Sequence, residues 1–199
     1  MFIVVEGKDG VGKGTQVRLL IEWLKSLGYV VFETREPTDG PYGQEIRSIL
    51  NDEKPMPQDP TKFQMLYVYD RIWDEIEIRK AVEQKRVAVC DRYYYSTYAY
   101  GKASGADVER LRKENRMFLR PDLMIWLNLD SNLARIRMEG RGKMDEHDKD
   151  LSFQDRLQEA YLQLIEEFPE AREIDASGTP EEVHQRIREA VEAILPKVE

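Results

Sequence analysis

The sequence has a single cysteine, Cys90, so no internal disulfide framework can form and most zinc arrangements lack their usual ligands. That scarcity suits a reducing, cytoplasmic setting. Long apolar runs are missing as well. No stretch approaches the length of a bilayer span, and the first residues lack the basic-then-apolar layout of a signal peptide. Positive charge is in deficit: 30 basic against 38 acidic residues give a formal net charge of −8. That balance argues against a general nucleic-acid-binding surface, so any polyanion must meet locally concentrated arginines and lysines. Neither a membrane nor a nucleic acid is therefore an expected partner. With 199 residues, 41% of them hydrophobic and 34% charged, the chain reads as one soluble globular domain over 1–199 with a substantial core.

Strand-like and helix-like patterns alternate along the chain. FIVVE (2–6), YVVFET (29–34), RVAVCD (86–91) and DLMIWLNL (122–129) have the β-branched character of buried strands, and AREIDA (171–176) is a weaker fifth. Helices are expected over 13–27, about 42–50, about 60–84, about 94–118 with a break near Gly101 and Gly105, about 131–139, 152–168 and 180–194. Thr179-Pro180-Glu181-Glu182 opens the last of these with proline at the first helical position and acids in the first turn. The alternation predicts a three-layer α/β fold, a five-stranded parallel sheet with helices on both faces. One segment is charge-dense and poor in apolar residues, EGRGKMDEHDKD at 139–150. It is read as either a solvated loop or a short lid.

EGKDGVGKGTQ (6–16) lies between the first strand and the first helix. It satisfies the phosphate-loop pattern G-x-x-x-x-G-K-[ST] except at the last position, where Gly14 replaces the hydroxyl residue. In that context the backbone N–H groups, the helix dipole and Lys13 converge on one point and cradle the phosphates of a nucleoside triphosphate. The predicted cradle is Gly7, Lys8, Asp9, Gly10, Val11, Gly12, Lys13, Gly14 and Thr15. With Gly14 unable to supply an oxygen, a Mg²⁺ ion accompanying ATP would rest mainly on phosphates and waters, with Asp9 and Asp91 as candidate carboxylates.

Sites in parallel sheets form beyond the carboxyl ends of the strands. Arg35 and Arg92 follow strand ends there, and Arg47 follows on the short helix after YGQEI. Three arginines near Lys13 suit an acceptor that already carries a phosphate, because guanidinium recognises phosphate bidentately. Such an acceptor is largely dianionic and needs no general base. In FQMLYVYDR (63–71), Tyr67 and Arg71 stand four apart on one helix face. They could hold a flat base, although Tyr67 taken alone reads as ordinary helix packing, since its neighbours are apolar anyway.

At this point the sequence resembles the thymidylate kinase family over nearly its whole length. The resemblance is carried by GKDGVGKGTQ, TREPTDGPYGQEIR, MLYVYDR, DRYYYSTYAY and RPDLMIWLNLD. It implies phosphoryl transfer from ATP to dTMP, with Lys13 on the donor phosphates, Arg92 on the acceptor phosphate and Asp9 at the sugar 3′-hydroxyl. Tyr67 would stack on thymine, Arg71 would donate to a thymine oxygen, and Ser96 and Thr97 would contact the base. Tyr100 would fill the space of a 2′-hydroxyl, and Tyr42 would approach the monophosphate. Gly10 stands where some members have an arginine. The resemblance therefore moves the transition-state cations to Arg137 and Arg141 at the lid, with Arg135 and Lys143 as helpers. It also implies a homodimer formed through packed helices. Departures lie at Gly14 and at 38–41, where Thr-Asp-Gly-Pro replaces the family's Gly-Gly-Thr. GKGTQ alone would also suit an adenylate or uridylate/cytidylate kinase, and a phosphate loop alone would suit a regulatory switch.

Overall fold

In the computed structural model, which describes residues 1–139 and 150–195, the strand β1 (Phe2–Glu6) is buried along its whole length. An apolar β-branched run with no polar alternation is stable only where both faces of the sheet are covered. The other strands are β2 (Val31–Arg35), β3 (Val87–Asp91), β4 (Leu123–Asn128) and β5 (Ala171–Asp175). They form one parallel sheet in the order β2-β3-β1-β4-β5. Val4 of β1 registers with Cys90 on one side and Met124 on the other. The central strand thus feeds the phosphate loop from the middle of the sheet.

The helices are α1 (Lys13–Ser26), α2 (Pro41–Leu50), α3 (Pro60–Glu83), α4 (Tyr94–Ser104), α5 (Val108–Asn115), α6 (Ser131–Glu139), α7 (Leu151–Glu167) and α8 (Pro180–Glu192). Strand periodicity divides the core in two. Phe2, Val4, Cys90, Met124 and Trp126 pack under α3, α4 and α7, whereas Ile3, Val5, Val89, Ile125 and Leu127 pack under α1 and α8. None of the described helices is long and apolar enough to cross a membrane.

Two expectations shift in detail. The helix expected over 94–118 does not break at Gly101. It runs on to Ser104 and ends at Gly105, whose φ of 79° is the left-handed conformation that closes a helix. Gly101 stays helical and serves packing instead, since a Cβ there would lie 2.7 Å from Leu111 Cδ1. The Asp107 side chain then accepts from Arg110 N and starts α5. Elsewhere the expected helix start at Thr179 is a full capping box, with Thr179 N donating to Glu182 Oε2 at 2.8 Å and Glu182 N donating to Thr179 Oγ1 at 3.3 Å.

The loop between β2 and α2 is held from α3. Both oxygens of the buried Asp70 carboxylate accept from Thr38, from its N–H at 2.7 Å and its hydroxyl at 2.6 Å. Gly43 in α2 permits the close approach of this loop, because a Cβ on it would lie 1.9 Å from the Thr38 carbonyl oxygen. Gly43→Ala is expected to destabilise the fold by about 1–3 kcal/mol, as overpacking against backbone does, read as a lowered melting temperature. A melting temperature equal to that of the wild type would show that the loop has room to move.

Candidate active site

The chain turns sharply at two strand ends, and both turns aim cations at one place. After β1, Gly10 and Gly12 adopt φ of 79° and 101°, and α1 begins at Lys13. After β3, Arg92 itself has φ of 71°, a left-handed conformation unusual for a side chain of its size. The surroundings hold it there. Arg92 N donates to Val5 O at 2.9 Å, and Tyr93 N donates to the buried Glu6 carboxylate at 2.8 Å. Strain maintained by its neighbours is a common mark of a functional position.

The result is a shared contact. Lys13 Nζ lies 3.4 Å and Arg92 Nη2 2.9 Å from the same oxygen, Oδ1 of Asp9. The two cations therefore lie no farther apart than those two contacts laid end to end. The Asp9 side chain is half exposed; enclosure by the protein alone would raise its carboxyl, but the charges of Arg92 and Lys13 outweigh that and hold the group below the usual carboxylate range. Burial, reinforced by Arg92, in turn lowers the Lys13 ammonium. Lys13 Nζ also donates to the Lys8 carbonyl at 2.8 Å, and the buried Lys8 ammonium donates to Ser131 Oγ at 2.8 Å. Lys8 thus ties the phosphate loop to α6.

Beside this cluster a cavity of about 370 Å³ opens between α3, α4 and the loop after β2. Asp9, Arg35, Arg47, Arg92, Ser96, Thr97, Tyr67 and Tyr100 line it, as expected from the sequence. Glu36, Pro37, Leu50, Phe63, Gln64 and Ser104 also line it and were not singled out in the sequence. Arg35 and Arg47 meet at Asp39, at 3.5 Å and 3.2 Å, and Arg47 Nη1 donates to the Pro37 carbonyl at 3.0 Å. Arg92 donates to Ser96 Oγ at 3.0 Å and to Tyr100 OH at 3.3 Å, and its Cζ stands 5.3 Å from the Tyr100 ring centre. The Tyr67 and Phe63 rings stand nearly perpendicular, with their centres 5.6 Å apart.

Glu6 underlies the cluster and has no sequence motif to announce it. It is fully buried and accepts from Tyr93 N, from Ser96 Oγ at 2.6 Å and from Tyr161 OH at 3.0 Å. Burial raises its carboxyl, while Arg92 and these hydrogen bonds pull it back down. Ser96 connects it to Arg92, so the position of the arginine is set from two directions.

Four residues expected at the site make other contacts in this structure. Arg71 does not line the cavity: it is 0% exposed, with Nε donating to Glu36 Oε1 at 2.6 Å and Nη2 to Glu36 Oε2 at 2.5 Å. Nη1 donates to Asn115 Oδ1, and Nη2 also to Thr97 Oγ1 at 3.1 Å. The guanidinium, expected on a base oxygen, is occupied behind the wall and holds Glu36 and Thr97 in place. Tyr42 also lies outside the cavity, more than a third exposed, with its ring 5.4 Å from that of Tyr69. Arg137, expected at the transferred phosphate, donates to Val11 O at 3.4 Å, Ala176 O at 3.3 Å and Gly178 O at 3.4 Å. Val11 belongs to the phosphate loop and the other two carbonyls to the turn after β5, so Arg137 stands at the loop. Asp9, expected as a candidate metal carboxylate, has one oxygen shared by two cations, Lys13 and Arg92. Arg141, Lys143 and most of the expected lid lie outside the described residues; Arg135 lies on the exposed side of α6.

Comparison with known proteins agrees with this geometry. The thymidylate kinase family model matches residues 5–187. A protein named probable thymidylate kinase from Thermococcus onnurineus (strain NA1) is 40% identical over 204 aligned positions, covering 99% of this chain and 100% of its own. One of the same name from Pyrococcus horikoshii is 38% identical over 191 positions, 94% of this chain and 93% of the relative. A thymidylate kinase from Exiguobacterium sp. (strain ATCC BAA-1283 / AT1b) is 36% identical over 176 positions, 85% and 83% of the two chains. Matches of this extent take in the phosphate loop, the arginines and the cavity helices together, and the chain belongs to the thymidylate kinase family.

Proposed function

We propose that the protein transfers the γ-phosphoryl group of ATP to dTMP, giving dTDP and ADP. The observation that carries this reading is the convergence of Lys13 and Arg92 on one Asp9 oxygen at the edge of a cavity sized for a small ligand. One cation belongs to the phosphate loop and the other to the cavity, so the donor and acceptor phosphates would meet between them. An oxygen of the dTMP phosphate attacks the γ-phosphorus as the bond to the ADP oxygen breaks. The attacking oxygen is already ionised, so catalysis reduces to positioning and charge neutralisation. Tyr67 is placed to stack on the base, Tyr100 to pack at the sugar, and Arg35 and Arg47 to exchange Asp39 for phosphate.

Mg²⁺ bound with ATP would spread the phosphate charge and orient the transferring group. Of the two carboxylates expected near it, Asp91 fits better. Its Oδ1 is enclosed without a partner, and its side chain lines a second cavity that Gly14 also borders. Gly14 itself is not demanded by packing, since a Cβ there would meet nothing within 4 Å.

A panel of nucleoside monophosphates in a coupled ADP assay tests the substrate. dTMP is expected to give the highest kcat/KM, whereas equal turnover of AMP or UMP would favour an adenylate or uridylate/cytidylate kinase. Tight ATP binding without turnover of any acceptor would mark a regulatory module. Lys13→Met is expected to lower kcat by about 100- to 1,000-fold with little change in KM for dTMP. An unchanged kcat would remove Lys13 from the transferred group.

We also propose that α3 pairs with α3 of a second copy. Tyr69, Ile72, Trp73 and Ile76 form a stripe at helical spacing on its outer face, with Trp73 64% and Ile76 59% exposed. A contiguous apolar stripe of this kind is uncommon on a monomer, and a two-fold axis through it would pair it with itself. Trp73→Glu should convert a dimer to a monomer in analytical ultracentrifugation. A wild-type chain that sediments as a monomer at micromolar concentration would defeat the assignment.

A further inference from the structure

Lys8 is a cation of the phosphate loop that lines neither of the cavities described above. It is only 1% exposed, and its ammonium donates to Ser131 Oγ at 2.8 Å, at the first residue of α6. Burial lowers the proton affinity of the amine, while the charges of Asp130 and Asp155 raise it. Both acids are themselves exposed, so neither needs Lys8 as a partner. Packing alone would be served by an apolar side chain of the same length, which carries no cost of desolvating a charge.

The contact is one of a series along the loop. Ser131 of α6 meets Lys8, Ala134 and Met138 lie over Gly10, and Arg137 reaches Val11. At Gly10 the approach is so close that a Cβ would lie 2.5 Å from the Ala134 carbonyl oxygen and 2.7 Å from Met138 Cγ. Residues 131, 134 and 138 are spaced to share one helix face, and Leu133 and Ile136 on the other side of α6 are exposed. The loop and α6 therefore hold one another. Of the polar ties between them, the Lys8 bond at 2.8 Å is shorter than the Arg137 bond to Val11 O at 3.4 Å.

The main chain of the same residue meets the chemistry. The Lys8 carbonyl accepts from Lys13 Nζ at 2.8 Å, closer than the 3.4 Å between that nitrogen and Asp9. Lys8 thus has its side chain on α6 and its carbonyl on Lys13. We propose that Lys8 is a positioning residue for phosphoryl transfer: anchored on α6, it fixes the carbonyl that aims Lys13, and it does so without touching either nucleotide. This inference rests on reading Lys13 as the cation of the transferred group. A glycine-rich loop has little backbone stiffness of its own, so an unanchored carbonyl would drift and Lys13 would follow Asp9 and Arg92 instead. The bond to Ser131 removes that freedom.

The test is Lys8→Met, which keeps the reach of the side chain and removes the ammonium, with Ser131→Ala removing the acceptor instead. For each, kcat and the KM for ATP and dTMP are measured, and the ligand-free melting temperature is recorded. For Lys8→Met, kcat is expected to fall about tenfold, as the loss of one charge-assisted hydrogen bond from the transition-state geometry predicts. KM for dTMP should stay within about twofold, because none of the described residues of α6 lines the acceptor cavity. Ser131→Ala should lower kcat in the same way, and the double variant should lose little more than Lys8→Met alone, since both changes break one contact. A kcat within about twofold of the wild type in both variants would overturn the inference and leave Lys8 a packing residue. So would a lowered melting temperature with the KM for dTMP and for ATP raised alike. An unchanged kcat in Lys13→Met overturns the reading of Lys13 and this inference with it. A kcat lost in Lys13→Met but kept in Lys8→Met and Ser131→Ala overturns this inference alone.

Discussion

The structure depends on holding two cations side by side before any phosphate arrives. Lys13 and Arg92 would repel one another by several kcal/mol at the separations implied here if nothing stood between them. The Asp9 carboxylate does stand there, one oxygen serving both. A second carboxylate, Glu6, lies beneath and reaches Arg92 through Ser96. The backbone adds its own cost, since the left-handed conformation of Arg92 opposes folding by roughly 1–2 kcal/mol. That cost is offset by the hydrogen bonds that Val5 O and Glu6 make to Arg92 N and Tyr93 N. The sheet order has the same consequence at larger scale, because β1 and β3 are neighbours and their ends deliver the loop and the arginine to one point.

The helix α3 carries most of what surrounds this point. On its inner face Phe63, Gln64 and Tyr67 build the cavity. One turn further, Asp70 holds Thr38 and Arg71 holds Glu36, so a single Asp-Arg pair fixes both ends of the loop bearing Pro37. Breaking the buried Arg71–Glu36 pair by removing one partner would cost about 3–5 kcal/mol, because the other charge is left without compensation. The outer face of the same helix carries Ile72, Trp73 and Ile76. A helix fixed along its outer face would have less freedom to tilt, and the base cavity on its inner face would be correspondingly more rigid.

What was legible in the sequence was local. The strands, the phosphate loop and the capped start of α8 are each specified by residues within a few positions of one another, so pattern alone locates them. The role of Arg71 is not local. Spacing placed it correctly on the face of Tyr67, but its partners Glu36 and Asn115 lie 35 and 44 positions away, and only the tertiary fold shows that they claim the guanidinium. The contacts of Arg137 were not legible either, because the carbonyls it meets come from the phosphate loop and the turn after β5. Glu6 was readable only as the polar end of a strand. Its importance follows from Tyr161, 155 positions on, donating to it inside the core. Gly101 looked like a breaker because glycine usually is one. Here its missing Cβ matters for interhelical packing, which no propensity scale records.

The loop at 38–41, where this chain departs from the family pattern, has a physical logic of its own. Asp39 pairs with Arg35 and Arg47 much as Asp9 pairs with Lys13 and Arg92. In each case one carboxylate serves two cations, at the positions where an acceptor phosphate and a donor phosphate are expected. The two placeholders differ in how readily they yield. The Asp39 side chain is 83% exposed, and ion pairs in that setting contribute about 0–1 kcal/mol, so a phosphate dianion with bidentate geometry displaces it at little cost. Asp9 is itself half exposed, but its two cations, Lys13 and Arg92, are far more enclosed than Arg35 and Arg47, and their charges hold its carboxyl below the ordinary range. It would shift within the cluster rather than leave it, and remain as a short acceptor beside the transferring group. On the proposed reading, the acceptor side of the site would be set for exchange and the transfer point for persistence, which is the ordering that binding followed by in-place chemistry requires.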